Sequence, residues 1–441
     1  MRSRVLAGAI LAASVLVAWM AISYTLVARL LQASIGLSML YVGYLSWRGW
    51  RVMRAALHAT AATPAAAGPP SVERPWITVV VPATNEAVVV GAVIADLVAQ
   101  DYRDPAGRRF DVLLVDDGST DGTAELAEAA ATEPGVLRVL RRDAEEQPRT
   151  KGAALAWAAA YVRGDVVAVV DADARLAPHF LSRAMAAWQR DPEAAALQVQ
   201  RRSLNRRHGW LAAAQDEELL MDMASQCGRW ATDGTAELRG NGMVVRRAAL
   251  EAAGGWSTAA LTEDLDLATR LAAQGERVAL APEVEVTEQA VESLGVLWRQ
   301  RMRWAEGSMR RLIEHGPGLV ANRRLPFGRR LDFVLFLPEF LVPPLFVTSI
   351  IASLATIPLP EPADWTVPAS LFLGYGLGTY LLALAGIAAG GERALRLIGR
   401  SARGALFLSH WLLVVPAALV RITVAPRTSR FARTPRIGRA P

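Results

Sequence analysis

The chain has 441 residues, 52% of them hydrophobic, and a formal net charge of +6, so it exceeds one small domain and is too apolar to be soluble throughout. A basic balance can serve nucleic-acid binding, but here the arginines gather beside apolar runs, at Arg48, Arg51 and Arg54 and at Arg323, Arg324, Arg329 and Arg330, as the positive-inside rule expects of a membrane protein, and no nucleic-acid partner is expected. One cysteine, Cys227, excludes an internal disulfide and reads as a small packing residue on a helix.

From the N-terminus, residues 5–27 and 30–47 are two apolar runs, each close to the length that crosses about 30 Å of hydrocarbon as a helix. The first is too long for a cleavable leader and a second follows at once. Arg2 and Arg4 keep the N-terminus inside, so the pair forms a hairpin and residues 48–330 fall in the cytosol. Residues 55–70, rich in Ala, Pro and Gly, read as a linker. Three more apolar runs, 331–359, 366–390 and 405–424, close the chain, with Pro338, Pro343 and Pro344 interrupting the first of them. The expected organisation is a transmembrane hairpin (1–54), a linker (55–74), a cytosolic catalytic domain (75–295), interfacial helices (296–330), a transmembrane region (331–424) and a basic tail (425–441), in a multi-pass protein of the plasma membrane.

Between the hairpin and the later spans, short β-branched runs at 77–81, 112–115, 166–170 and 278–281 predict buried strands. Alanine-rich segments at 92–100, 124–131, 153–162 and 180–189 predict crossover helices. This alternation implies an α/β fold with a mostly parallel sheet covered on both faces, whose ligands bind beyond the carboxyl ends of the strands.

The polar residues that follow each run are therefore the candidates for chemistry. The first strand leads into Thr84, Asn85 and Glu86, and the second into Asp116-Asp117-Gly118-Ser119-Thr120-Asp121-Gly122. A turn capping the next helix accounts for Thr120 or Asp121; two adjacent acids leave one to point back and accept hydrogen bonds from a base or ribose. The third strand runs into Asp171-Ala172-Asp173. Residues two apart on an extended chain face the same way, and two such carboxylates call for Mg²⁺ or Mn²⁺ shared with a diphosphate. Thr262-Glu263-Asp264 opens a predicted helix, where acids suit the dipole but where one can also serve as general base. Gln300, Arg303 and Trp304 lie on an arginine-rich helix, suited either to lipid headgroups or to a sugar ring and a diphosphate. Lys151 is the only lysine among 48 basic residues; it is either a chance survivor of a compositional bias towards arginine or the mark of a place where a planar guanidinium cannot replace a compact ammonium.

In this order, D-D-G-S, D-x-D, T-E-D and Q-x-x-R-W resemble the family 2 glycosyltransferases of GT-A fold, above all the membrane synthases of cellulose, chitin, hyaluronan and poly-N-acetylglucosamine. The resemblance covers roughly residues 75–310. It implies an inverting transferase with a GT-A-like nucleotide-sugar-binding domain flanked by transmembrane helices. Thr84, Glu86 and Asp117 would hold the uridine of a UDP-hexose or UDP-N-acetylhexosamine, with Lys151 near the nucleotide and Asp171 at the ribose or sugar. Asp173, with Asp171, would hold the divalent Mg or Mn ion. Asp264 would be the base, Thr262 and Glu263 would shape its pocket, and Gln300, Arg303 and Trp304 would line the acceptor site.

Two departures stand out. There is no second lysine for the gating loop of cellulose synthases, and no regulatory domain is expected after the last apolar run. The tail Phe431-Ala432-Arg433-Thr434-Pro435-Arg436 is similar to the W-x-x-T-x-R segment of hyaluronan-type enzymes, with Phe for Trp, and is expected in the cytosol although five full crossings would place it outside. The leading expectation is a processive polysaccharide synthase. The alternatives are an enzyme that adds one sugar to a lipid acceptor, and a non-catalytic nucleotide-binding or transport protein on the same scaffold.

Overall fold

A computed structural model describes residues 2–62, 74–143, 148–359 and 365–425, so the tail motif at 431–436 lies outside the described residues. The chain divides into two compact units. One comprises the described residues of 53–219 and 235–296; the other comprises those of 2–52, 220–234 and 297–425.

The first unit is built on strands β1 (Ile77–Ala83), β2 (Arg103–Asp104), β3 (Gly107–Arg108), β4 (Phe110–Asp117), β5 (Leu137–Arg142), β6 (Val166–Val169), β7 (Arg175–Leu176), β8 (Ala196–Ser203), β9 (Met243–Arg246) and β10 (Val278–Glu288). β2 and β3 pair by themselves; the rest form one sheet in the order β5-β4-β1-β6-β9-β8-β10-β7. β5, β4, β1 and β6 run parallel. β9 is antiparallel to β6 and β8, β8 and β10 run parallel, and β7 pairs antiparallel with β10. The sheet is thus parallel where β-branched runs alternate with alanine-rich helices, and mixed beyond it.

Both faces of the parallel half are covered, which is why its strands read as unbroken apolar runs. Val79, Val81, Val112, Leu114 and Ala168 share a core with Val93, Ile94 and Leu97 of helix Val90–Val98 and with Phe180, Leu181 and Trp188 of helix Phe180–Trp188. The register sets Ala83 beside Asp116, Val80 beside Val169 and Asp117 beside Arg142, so the carboxyl ends of β1, β4, β5 and β6 form one rim.

The second unit is helical. Helices Arg2–Ser23 and Thr25–Ala62 part at Tyr24, ahead of the break at residues 28–29 that hydropathy gives. The second of them continues through residues 55–62 of the stretch whose composition reads as linker; alanine is the best helix former. Where it passes helix Trp210–Ala231 the backbones touch: a Cβ on Gly49 would lie 2.0 Å from the Ala224 carbonyl oxygen, and one on Gly228 2.3 Å from that of Leu45. Small residues permit such approach.

Among the described residues, five helices are long and apolar enough to cross a membrane: Ser3–Ala21, Thr25–Ala59, Phe327–Thr356, Thr366–Ala389 and Ala394–Val424. The third breaks at Leu337 ahead of Pro338, which takes the first helical positions that tolerate proline, whereas Pro343 and Pro344 are carried inside helix Pro338–Thr356. Within this unit Arg229 and Asp332 form a buried pair, Nη2 to Oδ2 2.9 Å, with the guanidinium over the Phe336 ring. Cys227 is buried, as a packing residue should be.

Candidate active site

Along the rim of the parallel strands, the loops after β1 and β4 are tied together. Asn85 adopts φ +54°, a left-handed conformation that asparagine tolerates better than most residues. Its Oδ1 accepts the Thr120 N–H at 2.8 Å, and its own N–H donates to Ser119 Oγ at 2.8 Å. The N–H of Glu86 donates to Thr123 Oγ1 at 2.8 Å, which fixes the start of the Glu86 turn against helix Thr123–Ala130.

The acids after β4 divide their tasks. The helix that follows has Gly122 at its N-cap and no side-chain cap; Asp121, one residue earlier, accepts the Thr123 and Ala87 N–H groups at 3.2 Å each, and Asp116 Oδ1 closes the turn by accepting the Ser119 N–H at 3.0 Å. Asp117 is left for another purpose. It is 5% exposed, and its Oδ1 takes Arg142 Nη1 at 2.9 Å. Arg149 donates to the carbonyl oxygens of Asp117 and Gly118 at 2.5 and 3.1 Å. Burial pushes the Asp117 carboxyl up from its ordinary range, while Arg142 and Arg149 pull it back.

Lys151 opens helix Lys151–Ala158, which Thr150 caps by accepting the Ala153 N–H at 3.0 Å. Gly152 has no side chain because a Cβ there would lie 2.2 Å from the Ser257 carbonyl oxygen; the helix start therefore sits hard against the segment leading to Glu263. From that position the ammonium reaches Asp171 Oδ1 at 2.5 Å, the Gly240 carbonyl oxygen at 3.1 Å and Glu263 Oε1 at 3.6 Å. Burial works against the charge, but Asp171 and then Glu263 more than offset it, so the ammonium is held above its usual range.

Asp264 shares this neighbourhood. Gly240 has φ +81°, and a Cβ on it would lie 3.0 Å from Asp264 Oδ2 and 3.5 Å from Lys151 Nζ. The glycine leaves the space into which the carboxylate and the ammonium both point. Thr262 precedes helix Glu263–Ala273 but makes no side-chain cap, and Asp266 is taken by Arg270 at 2.8 Å. Of the acids that open this helix, Glu263 and Asp264 face Lys151.

Burial raises the Glu263 carboxyl from 4.5 to about 7, with Lys151 opposing and Asp264 reinforcing. Because the folded value exceeds the ordinary one, the folded chain holds this proton more tightly. Stability therefore declines as pH rises from about 4.5 through about 7 and levels off above that. Thermal unfolding of the detergent-solubilised protein between pH 5 and pH 8 should show this decline, and Glu263→Gln should flatten it; an equal slope in the variant would contradict the assignment.

Asp171 and Asp173 do not lie on one extended face. β6 ends at Val169, and the Ala174 N–H bonds back to the Asp171 carbonyl oxygen at 3.0 Å, so the pair sits in a turn. Different partners engage the two carboxylates. Asp171 meets Lys151, while Asp173, 5% exposed, accepts the Gln289 N–H at 3.1 Å from the end of β10. Asn241 anchors the turn, its Oδ1 accepting the Asp171 N–H at 3.1 Å and its Nδ2 donating to Glu288 at 3.0 Å. Among the described residues no three Asp, Glu, His or Cys side chains gather as a metal-holding group. The donor set suits a hard cation such as Mg²⁺ or Mn²⁺ that takes one or two carboxylates and completes its shell with phosphate oxygens and water.

Thr84, Glu86, Asp117, Lys151, Asp171, Asp173, Glu263 and Asp264 all belong to the sheet-based unit. Gln300, Arg303 and Trp304 belong to the helical unit, on helix Leu294–Ala321. There Arg301 stacks over the Trp304 ring at 4.2 Å and lies 5.7 Å from the Trp411 ring centroid. Met302, Ala305 and Met309 of the same helix pack on Ala7, Val414, Val415 and Ala418. The sequence reading did not single out Arg142, Arg149, Gly240 and Asn241. None of them carried a local signal, since the strand that ends at Arg142 reads Leu-Arg-Val-Leu-Arg-Arg with a single β-branched residue.

Comparison with known proteins bears on the family and the fold. Residues 74–307 match the family described as "Glycosyltransferase like family 2". A β-monoglucosyldiacylglycerol synthase from Synechocystis is 31% identical over 88% of this chain and 83% of its own length. A second, from Nostoc, is 30% identical over 82% of this chain and 77% of its own. A poly-β-1,6-N-acetyl-D-glucosamine synthase from Staphylococcus aureus is 24% identical over 57% of this chain and 58% of its own. Among solved structures, a mannosyltransferase from Pyrobaculum calidifontis in complex with GDP-Man and Mn²⁺ matches with a TM-score of 0.56 at 22% identity, covering 89% of this chain and 98% of that one. That likeness is one of fold.

Proposed function

Since the chain belongs to glycosyltransferase family 2, and so transfers a sugar from a nucleotide sugar, we propose that it adds a single glucose from UDP-glucose to the hydroxyl of a diacylglycerol. The observation that carries this reading is the extent of the likeness. The two relatives named for glucosyldiacylglycerol synthesis match over 88% and 82% of the chain, apolar helices included, whereas the match to the polysaccharide synthase covers 57%. The processive reading that Q-x-x-R-W favours therefore gives way to single addition. A diacylglycerol dissolves only in the bilayer, which suits a chain whose described residues include five helices long and apolar enough to cross one.

In the reaction, Asp117 and the loop Thr84–Glu86 hold the nucleoside, with Arg142 fixing the Asp117 carboxylate. Asp173 with Asp171 would hold Mg²⁺ or Mn²⁺, which supplies charge neutralisation for the departing diphosphate. Lys151 keeps Asp171 and Glu263 in place and adds positive charge beside the leaving group. Asp264 accepts the proton of the acceptor hydroxyl as its oxygen attacks the anomeric carbon and the carbon–phosphate-oxygen bond breaks. One base in one displacement inverts the anomeric centre. Acceptor recognition is assigned to Gln300, Arg303 and Trp304 of the helical unit because they match the Q-x-x-R-W segment of the family.

The test is the full chain in nanodiscs with dioleoylglycerol, Mn²⁺ or Mg²⁺ and a panel of UDP- and GDP-sugars, following nucleotide release and product mass. One hexose on the lipid from UDP-glucose is the expected product. A polymer formed without added lipid would overturn the reading in favour of chain elongation.

A further inference from the structure

The turn that carries Asp171 and Asp173 is fastened to the end of one strand. After Val170 bonds back to β1 the chain leaves β6, and β7 then pairs with β10, Leu176 beside Val286 and Arg175 beside Thr287. Between these points the Gln289 N–H donates to the Asp173 carboxylate at 3.1 Å, and the Asp171 N–H donates to Asn241 Oδ1 at 3.1 Å. Asn241 Nδ2 donates onward to Glu288 Oε2 at 3.0 Å. Arg201 of β8 grips the same carboxylate with two bonds, of 2.6 and 3.0 Å. Both acids of the turn are thus tied to residues 288 and 289. Asp173 is tied directly, Asp171 through an amide.

The chain around Asn241 is shaped to deliver that amide. Asn241 is buried between Gly240 and Gly242, both left-handed, at φ +81° and +68°. A Cβ on Gly242 would lie 2.5 Å from Val199 Cγ2 and 2.7 Å from Val286 Cγ1, so only glycine passes there. The Asn241 backbone is also fixed, its N–H donating to the Arg239 carbonyl oxygen at 3.0 Å and its carbonyl accepting Gln198 Nε2 at 2.9 Å. A lone carbonyl would satisfy the Asp171 N–H. A carboxamide does more, because it carries an acceptor and a donor on separate atoms and so reaches a carboxylate as well.

We propose that Asn241 is a positioning residue for the divalent cation: by bridging the Asp171 backbone to Glu288, it fixes the two carboxylates of the turn relative to each other. This rests on the reading of Asp171 and Asp173 as the acids that hold Mg²⁺ or Mn²⁺. Small hard cations tolerate little displacement of their ligands. Groups that stand behind metal ligands typically contribute about 10–100-fold to metal affinity. Asn241 itself has no part in the displacement, so its removal weakens cation binding and leaves the chemistry intact.

Titration with Mn²⁺ in the presence of UDP tests this without turnover, on the full chain in nanodiscs, by the electron paramagnetic resonance signal of the free ion. Asn241→Ala should raise the Kd for Mn²⁺ by about 10–100-fold. Saturating Mn²⁺ should then restore kcat for nucleotide release to within a few-fold of the parent. Asn205→Ala is the control. Asn205 bonds to the neighbouring stretch, accepting the Ala290 N–H at 2.9 Å and donating to its carbonyl oxygen at 3.0 Å, and should leave Mn²⁺ affinity unchanged. An unchanged affinity in Asn241→Ala, an equal loss in Asn205→Ala, or a fall in kcat that Mn²⁺ does not restore overturns the proposal. Glu288→Gln keeps the shape of its side chain but sets a donor against Arg201 or Asn241, and should weaken Mn²⁺ in the same direction. Unchanged affinity there overturns the proposal even where Asn241→Ala does not fold. A parent chain that binds no Mn²⁺ with UDP refutes the reading of the acid pair itself, and this inference with it.

Discussion

Asp264→Asn should lower acceptor-dependent nucleotide release by about 10²–10⁴-fold, the range a positioned general base contributes, and leave donor affinity within a few-fold. Asparagine keeps the shape of the side chain and loses the ability to take the acceptor proton. The neighbouring acid provides the control. Asp266 is bonded to Arg270 on its own helix at 2.8 Å, so Asp266→Asn should keep transfer within a few-fold of the parent. Steady-state release measured with and without dioleoylglycerol separates the two; equal losses in both variants would mean that the helix start acts through structure alone.

Lys151→Ala should have the largest effect on stability. It removes the ammonium that Asp171 and Glu263 share and leaves two acids facing each other. Stripping one partner from a buried ion pair costs about 3–5 kcal/mol. For a unit of this size that lowers the unfolding midpoint by on the order of 10 °C, with activity lost as well. Lys151→Arg keeps the charge but should recover less than half of either loss. Its planar fork does not fit a point that lies 2.5 Å from Asp171, 3.1 Å from the Gly240 carbonyl oxygen and 3.6 Å from Glu263. Full recovery by arginine would show that charge alone matters at this position. Differential scanning fluorimetry of the parent and both variants gives the answer.

The parallel half of the sheet was legible because its strands are buried on both faces, so β1, β4 and β6 appear as plain apolar runs. In the other half only the start of β10, at 278–281, was. β8 sets Gln198 and Gln200 among its apolar residues and ends in Arg201-Arg202-Ser203, β9 has four residues and β7 two, so none of them shows a sustained apolar run. The direction of β9, antiparallel to β6 and β8, follows from the path of the chain through helix Trp210–Ala231, which no local pattern encodes.

Of the candidate acids, Asp117, Asp171 and Asp173 are legible because they follow apolar runs, and Glu263 and Asp264 because they open a helix. The groups that organise them are not. Arg142 matters because β5 pairs with β4 in a register that sets it beside Asp117, and Gly240 because its missing side chain lets Asp264 and Lys151 converge. Both are facts of tertiary contact. Lys151 was an exception, since its rarity against an arginine background drew attention to a position with three acceptors around one nitrogen. The expectation that failed was a local one. Asp171 and Asp173 were read as neighbours on an extended strand, but the strand stops at Val169 and a turn gives each its own partner.

The central claim is that one carboxylate base drives one displacement at the anomeric carbon, on a rim where Lys151 gathers Asp171, Glu263 and Asp264. The anomeric configuration of the isolated glycolipid tests it most directly. Starting from UDP-glucose, whose anomeric bond is α, proton NMR of the product should show the large diaxial coupling of a β-glucoside. The small coupling of an α-glucoside would require two displacements or a front-face route, and would contradict the account.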